Sequence, residues 1–410
     1  MQNTSELPVL DDLVRSAKGP WWEWIPDIGR QHRFSRLGGM VLVHRYEDCW
    51  EVLRDPARFR EGVFAAIKRL EGVDPRFVER RSKSLLSLEG EDHQRLRRLA
   101  LPVFRAPLMD PLRPRMRRIF SDMVDAAASG APLDAVSALT RQYPLSVICA
   151  VLGVPTDDLE FFSEIAEAQV SGLSGSPDTF PAAMRAYDEL DRYLTELLQQ
   201  RRERPTDDLL SNLVRAEENG DRFSREELIS LVSTLLVAGT DTTRTTLASV
   251  IYLFAKYPEQ WDDLVANPEL VPSALDEVMR FAPTAFVIKR MALADVTLGG
   301  LDIPAGTEVA TLVVMANRDP DVFADPDRFD IRRVTRRPNL GFGAGYRHCI
   351  GNALAKAELE EALKVLVERF ERIEPAGAPS WRRPDNIQGP TALPVRLIPR
   401  AADRQPETVS

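Results

Sequence analysis

Apolar positions recur along most of this chain every three to four residues, the period of helices that lay one face against a core. The clearest case is 352–370 (NALAKAELEEALKVLVERF), where small and aliphatic residues alternate with charged ones at helical spacing. A longer run starts at Ser224 and Glu227, which are spaced as a capping box, and continues until Pro258 stops it. At roughly 30 residues it exceeds the usual globular helix. It is apolar over much of its circumference, so it is expected to cross the core. Further helical stretches are expected at 46–54, across 92–150, within 159–202 on either side of a Gly/Ser/Pro-rich break at 171–181, and at 258–266 and 273–281. Strand-like runs occupy 40–43, after Gly38-Gly39, and 287–313, around Gly299-Gly300 and Pro304-Ala305-Gly306. Residues 56–86, rich in Arg, Lys and Gly, read as irregular, and after Asn317 comes a Pro/Asp/Arg-rich meander. No internal repeat or linker divides the chain. The pattern predicts one domain over 1–410, mainly α with a small, mostly N-terminal β region (α+β).

Composition narrows the partners more than the fold. The 410 residues are 44% hydrophobic with a net charge of -9, which argues against nucleic acid as the main partner. Cys49, Cys149 and Cys349 are too few and too far apart for a disulfide framework and suggest a reducing compartment. No signal-peptide pattern opens the chain, and no run approaches the roughly 20 apolar residues of a membrane span. The expectation is a soluble, cytoplasmic protein without a membrane anchor.

The candidate chemistry sits in 341–351 (GFGAGYRHCIG), where one cysteine lies on a glycine-rich loop that opens into the 352–370 helix. Backbone N–H groups and the helix dipole at such a position favour a thiolate. No second cysteine or histidine pair completes a tetrahedral zinc site. A single axial thiolate instead suits one class of haem iron. Upstream, Ala238-Gly239-Thr240-Asp241-Thr242-Thr243 sets poor helix formers inside the long apolar helix. Gly239 would let a flat group approach the backbone, and Thr242 can bond back to a carbonyl or point its hydroxyl outward, loosening the turn.

These motifs resemble the cytochrome P-450 family, over about 41–370. The loop matches the family's haem signature at Phe342, Gly345, Arg347, Cys349 and Gly351. The resemblance implies a haem-thiolate monooxygenase domain with a long central helix and a Cys-ligand loop, carrying haem b with Cys349 as axial ligand. It gives Thr242, with Asp241 behind it, the delivery of protons in oxygen activation. It places Ala238, Gly239, Phe342, Gly343 and Gly351 at the haem. His93 and Arg97, at i and i+4, would take one propionate or share both, with Phe104 nearby and Arg290 and Arg347 as further donors. Glu277 and Arg280 would form a buried pair anchoring the meander with Asp330 and Arg332. His348, directly before the ligand, is unusual and is expected to point outward.

Substrate contacts implied by the resemblance are Phe64, Val237, Phe286 and Val287, in a pocket for a mid-sized, mostly apolar natural product, fatty acid or terpenoid. The basic run Lys68, Arg69, Arg76, Arg80, Arg81 and Lys83 could meet an acidic or carrier-linked substrate or be a solvated loop face. No flavin or nicotinamide fingerprint appears, so electrons are expected from a separate ferredoxin and its reductase. Arg95, Arg98 and Lys356 are candidates for the docking patch, or scattered solvated charge. The expected reaction uses dioxygen to hydroxylate a C–H bond or epoxidise an alkene. The alternatives are oxidative ring closure or coupling, peroxide-driven oxidation, and a non-enzymatic haem sensor.

Overall fold

The computed structural model describes residues 2–11, 20–23, 25–62, 73–127, 131–155, 158–172, 177–218, 220–382 and 387–400. Its central element is the helix Arg225–Lys256, capped as expected: Ser224 Oγ accepts from Glu227 N at 3.2 Å and Glu227 Oε2 accepts from Ser224 N at 2.7 Å. Leu228, Val232, Leu236, Leu247, Val250 and Phe254 are buried on several faces, so the helix runs through the core rather than along it. Around it pack Gly90–Ala100, Arg113–Ala127, Tyr143–Leu152, Leu159–Gly172, Phe180–Glu203, Val271–Phe281 and Asn352–Arg369.

The expected loosening at 238–243 is absent: the helix is continuous there. The threonines satisfy their hydroxyls locally. Thr240 Oγ1 donates to Leu236 O at 2.5 Å, Thr242 Oγ1 to Ala238 O at 2.7 Å and Thr246 Oγ1 to Thr242 O at 2.9 Å. Back-bonding of this kind keeps polar side chains inside a buried helix without leaving unpaired donors.

A five-stranded sheet stands beside the helices in the order Phe34–Leu37, Met40–Val43, Glu308–Leu312, Val287–Ala292, Phe59–Glu61. Met40–Val43 and Glu308–Leu312 run parallel, with Val309 opposite Val41, and the other pairs are antiparallel. The sheet is therefore less N-terminal than its first strands suggest, because two interior strands come from 287–312. It carries its own core of Val41, Val43, Phe59, Val309 and Leu340, separate from the main helical core.

The stretch 56–86 is not irregular throughout. It contributes the strand Phe59–Glu61 and the helix Pro75–Ser82, in which Asp74 caps Arg76 N at 2.8 Å and Pro75 takes the first turn. Phe77 anchors this helix on Phe180, with ring centroids 5.1 Å apart.

Candidate active site

The cysteine loop is built by backbone contacts. Cys349 N donates to Phe342 O at 3.0 Å and Gly343 N to Leu340 O at 2.9 Å, which folds the loop into a compact bulge before the helix starts at Asn352. Gly345 is at φ +70°, and a Cβ there would lie 2.8 Å from Leu53 O, so no other residue fits without displacing backbone. Cys349 is solvent-exposed, and its thiol lines a cavity of about 450 Å³. Desolvation by the surrounding protein pushes this thiol up, against a hydrogen bond from Gly351 N–H and the charge of Arg97. The helix start alone therefore does not ionise it. Among the described residues no group of three or more His, Cys, Asp or Glu could hold a metal, so Cys349 stands as a single sulfur donor.

The middle of the long helix lines the same cavity as the sulfur. Ala238, Gly239 and Thr242 line the cavity, and a Cβ on Gly239 would meet nothing within 4 Å. The cavity lining thus combines a lone sulfur with an open glycine backbone, features of the cradle that a flat macrocycle needs.

One wall is strongly cationic. His93 and Arg97 come from Gly90–Ala100, Arg290 from Val287–Ala292 and Arg347 from the cysteine loop, and all four line the cavity. His93 is buried, and that burial, then the charges of Arg347, Arg97 and Arg290, lower it to about 4. Arg97 donates to the His348 carbonyl. Arg290 donates to Lys289 O at 2.9 Å, but its Nε is buried with no acceptor. Arg347 donates to the Leu86 and Leu88 carbonyls and pairs with Glu89 at 3.0 Å. Three guanidiniums converging on one imidazole repel each other unless anions arrive. Two carboxylates of one ligand supply that charge with the geometry guanidinium favours. The donor set, the orphaned Arg290 Nε and the lone sulfur all fit haem and its propionates.

Other expected residues lie elsewhere. Asp241 does not line the cavity. Arg382 grips it at 2.7 and 2.9 Å and Arg244 Nε at 2.7 Å. Burial raises this carboxyl, but the two arginines more than reverse that and hold it below the usual range. Phe104, Val237 and Phe286 are buried in packing and form no part of the cavity wall, whereas Val287, Phe342, Gly343 and Gly351 do. Phe64 and the basic residues Lys68 and Arg69 lie outside the described residues. His348 is half-buried, lines the cavity and sits 6.3 Å from the Phe342 ring, so it does not simply point outward.

Glu277 and Arg280 form a pair with both side chains 2% exposed, at 2.7 and 2.8 Å. Arg280 also donates to the Asn317, Pro326 and Arg328 carbonyls, and Glu277 accepts from Asp330 N at 2.9 Å. The third member of the cluster is Arg333, at 3.1 Å from Glu277, and not Arg332, which pairs with Asp263. The suggested basic docking patch is weakened in the same way: Arg95 is held by Asp221 and Glu227, and Lys356 by Asp276 at 2.7 Å.

Glu358 escaped the sequence reading. It lies on Asn352–Arg369, is buried on the cavity wall, and has one carboxylate oxygen without a partner. Burial pushes it well above the usual carboxylate range. The signal was present: Glu358 is four residues from both Leu354 and Ala362, on the apolar face of its helix.

A family model for cytochrome P450 matches residues 176–387. The chain is 40% identical over 365 residues to the mycinamicin IV hydroxylase/epoxidase of Micromonospora griseorubida, covering 86% of this chain and 88% of that protein. It is 38% identical over 360 residues to the nocardicin C N-oxygenase of Nocardia uniformis subsp. tsuyamanensis, covering 86% and 88%. The solved structure of cytochrome P450 CYP109Q5 from Chondromyces apiculatus matches with a TM-score of 0.84 at 30% identity, covering 97% of this chain and 98% of that one. The chain belongs to the cytochrome P450 family. It is a monooxygenase of the bacterial kind found in secondary metabolism, and no helix of the described residues is long and apolar enough to cross a membrane.

Proposed function

We propose that this monooxygenase binds haem b through Cys349 and inserts one oxygen atom into a C–H bond or alkene of a largely apolar secondary metabolite. The supporting observation is the cavity itself, whose lining combines a lone sulfur, an open glycine backbone, the guanidiniums of Arg97, Arg290 and Arg347 and the His93 imidazole. Bound haem supplies dioxygen activation and oxygen-atom transfer. The protein's own residues do the rest. His93, Arg97, Arg290 and Arg347 hold the propionates and so fix the plane of the ring. Thr242 Oγ1, bonded to Ala238 O at 2.7 Å, can accept a further hydrogen bond and hold a water at the cavity wall. Asp241, tied to Arg382 and Arg244, stiffens that turn and releases a proton path only when the Arg382 contact opens. Val287 and the leucines 231 and 235 keep the substrate side apolar and exclude water. Two electrons per turnover come from a ferredoxin and its reductase. The names of the relatives, a hydroxylase/epoxidase and an N-oxygenase, favour oxygen insertion over coupling.

The experiment is reductant accounting in the wild type and Thr242→Ala. With a ferredoxin and reductase supplied, Thr242→Ala is expected to consume NADH at a comparable rate while product per NADH falls several-fold and hydrogen peroxide rises. Unchanged coupling removes Thr242 from proton delivery, and product lacking label from isotopic dioxygen overturns oxygen insertion.

A further inference from the structure

Arg81 is the unusual cation of this cavity. It comes from the last turn of Pro75–Ser82, is 7% exposed, and lines the cavity with Leu85, Leu231 and Leu235. Its neighbours in sequence face other ways. Arg76 pairs with Asp74 in solvent, and Arg80 reaches back to Asp191 and to the Tyr187 carbonyl at 3.3 Å. The other cavity arginines each donate to a carbonyl or carboxylate of the protein, as given above. Arg81 donates to nothing among the described residues, and its Nε is buried without an acceptor. The cluster that suits propionates is made of other residues: Arg97 bonded to the His348 carbonyl, Arg290 to Lys289 O, and Arg347 to the Leu86 and Leu88 carbonyls. A buried guanidinium with no hydrogen-bonded partner is costly, and a ligand carboxylate is the anion whose shape matches it.

We propose that the substrate of this monooxygenase carries a carboxylate and that Arg81 receives it; this rests on the reading of the cavity as a haem and substrate site. A single unpartnered cation suits a monoanion rather than a phosphate. The position also sets where oxidation falls. The segment just after Arg81 is pinned to the long helix: Ser84 Oγ meets Thr234 Oγ1 at 2.9 Å, and Ser230 Oγ donates to Lys83 O at 2.9 Å. Thr234 precedes Thr242 by eight residues, about 12 Å along a helix. The carboxylate is therefore anchored well away from the oxidised carbon, and attack occurs remote from the acid rather than beside it.

The test uses haem-loaded ferric protein and three acid–ester pairs: lauric, palmitic and phenylbutyric acid with their methyl esters. Binding is read by calorimetry and by the low-to-high-spin shift, in the wild type, Arg81→Met, Arg81→Lys and Arg76→Met. At least one acid is expected to bind tenfold or more tighter than its ester in the wild type, the size of a charge-assisted hydrogen bond. Arg81→Met should abolish that preference, Arg81→Lys should restore part of it, and Arg76→Met should leave it intact. The proposal is overturned if no acid outbinds its ester in the wild type, or if the preference survives in Arg81→Met. It also falls if Arg81→Met loses haem, which would make Arg81 a cofactor-holding residue. A carbon monoxide spectrum of the reduced wild type without thiolate character would instead sink the underlying monooxygenase reading.

Discussion

Asp241 shows how one residue can be recognised from sequence and still have its surroundings misjudged. Its place beside Thr242 marks the motif, but its two arginine partners come from elsewhere: Arg244 one turn on, and Arg382 more than a hundred residues away. No spacing rule connects 241 to 382. The ion pairing has a definite pH signature. Burial opposes ionisation, the arginines outweigh it, and the folded carboxyl is held below its usual range. A depressed value means that the stabilisation is present above the unfolded value of about 4 and is lost as pH falls through the folded one. Asp241→Asn is therefore expected to cost about 1–3 kcal/mol at neutral pH, with the gap to wild type closing in acid. Thermal unfolding of both proteins between neutral pH and strong acid checks this, and a gap that widens as pH falls would refute it. Glu358 was missed, and Arg81 was not singled out from its basic run, for a related reason. Each looks like an ordinary charged residue among many, and only burial without a partner sets it apart.

At the scale of elements, the long capped helix, the cysteine helix and the strand at 40–43 were legible because each carries an unambiguous period and clear stop signals. The helix Pro75–Ser82 was not, since its charged residues hide the apolar period, although Asp74-Pro75 is a proper start signal. The meander after Asn317 has no period at all, and its order comes from the helix Val271–Phe281 beneath it. Arg280 alone reaches three of the loop's carbonyls, while Glu277 holds Asp330 N and Arg333. Arg280→Met leaves Glu277 facing only Arg333 and frees those carbonyls in a dry interior. The expected cost is about 3–5 kcal/mol, as for one half of a buried pair. The double variant Glu277→Gln/Arg280→Met removes both halves of the pair and leaves only Arg333 without its carboxylate, so its cost should fall short of the sum of the two single losses. Chemical denaturation of the wild type, Glu277→Gln, Arg280→Met and the double variant measures this, and strict additivity of the two single losses would show that the side chains act independently.

At the scale of the whole molecule, the cavity lies where the helical core and the sheet meet, and neither part closes it alone. The long helix and the cysteine helix both line it, while Arg290 enters from the sheet and His93 and Arg97 from the helix Gly90–Ala100. Folding thus gathers Arg97, Arg290 and Arg347 around the neutral His93 with Glu89 paired to Arg347, and the remaining repulsion works against the fold. A ligand that binds only the folded chain adds stability in proportion to the logarithm of its excess over Kd. Haem should do this by filling the cradle and neutralising the wall together. A polyvalent anion such as pyrophosphate should do only the second, and only where haem is missing. The haem-free chain is therefore expected to melt well below the loaded one and to gain several degrees from pyrophosphate, while the loaded protein gains little. The same shift in both forms would mean that the anion acts elsewhere on the surface. Its loss in haem-free Arg97→Ala or Arg290→Ala would place the effect at the cavity wall, and so assign to those residues the charge that the propionates meet.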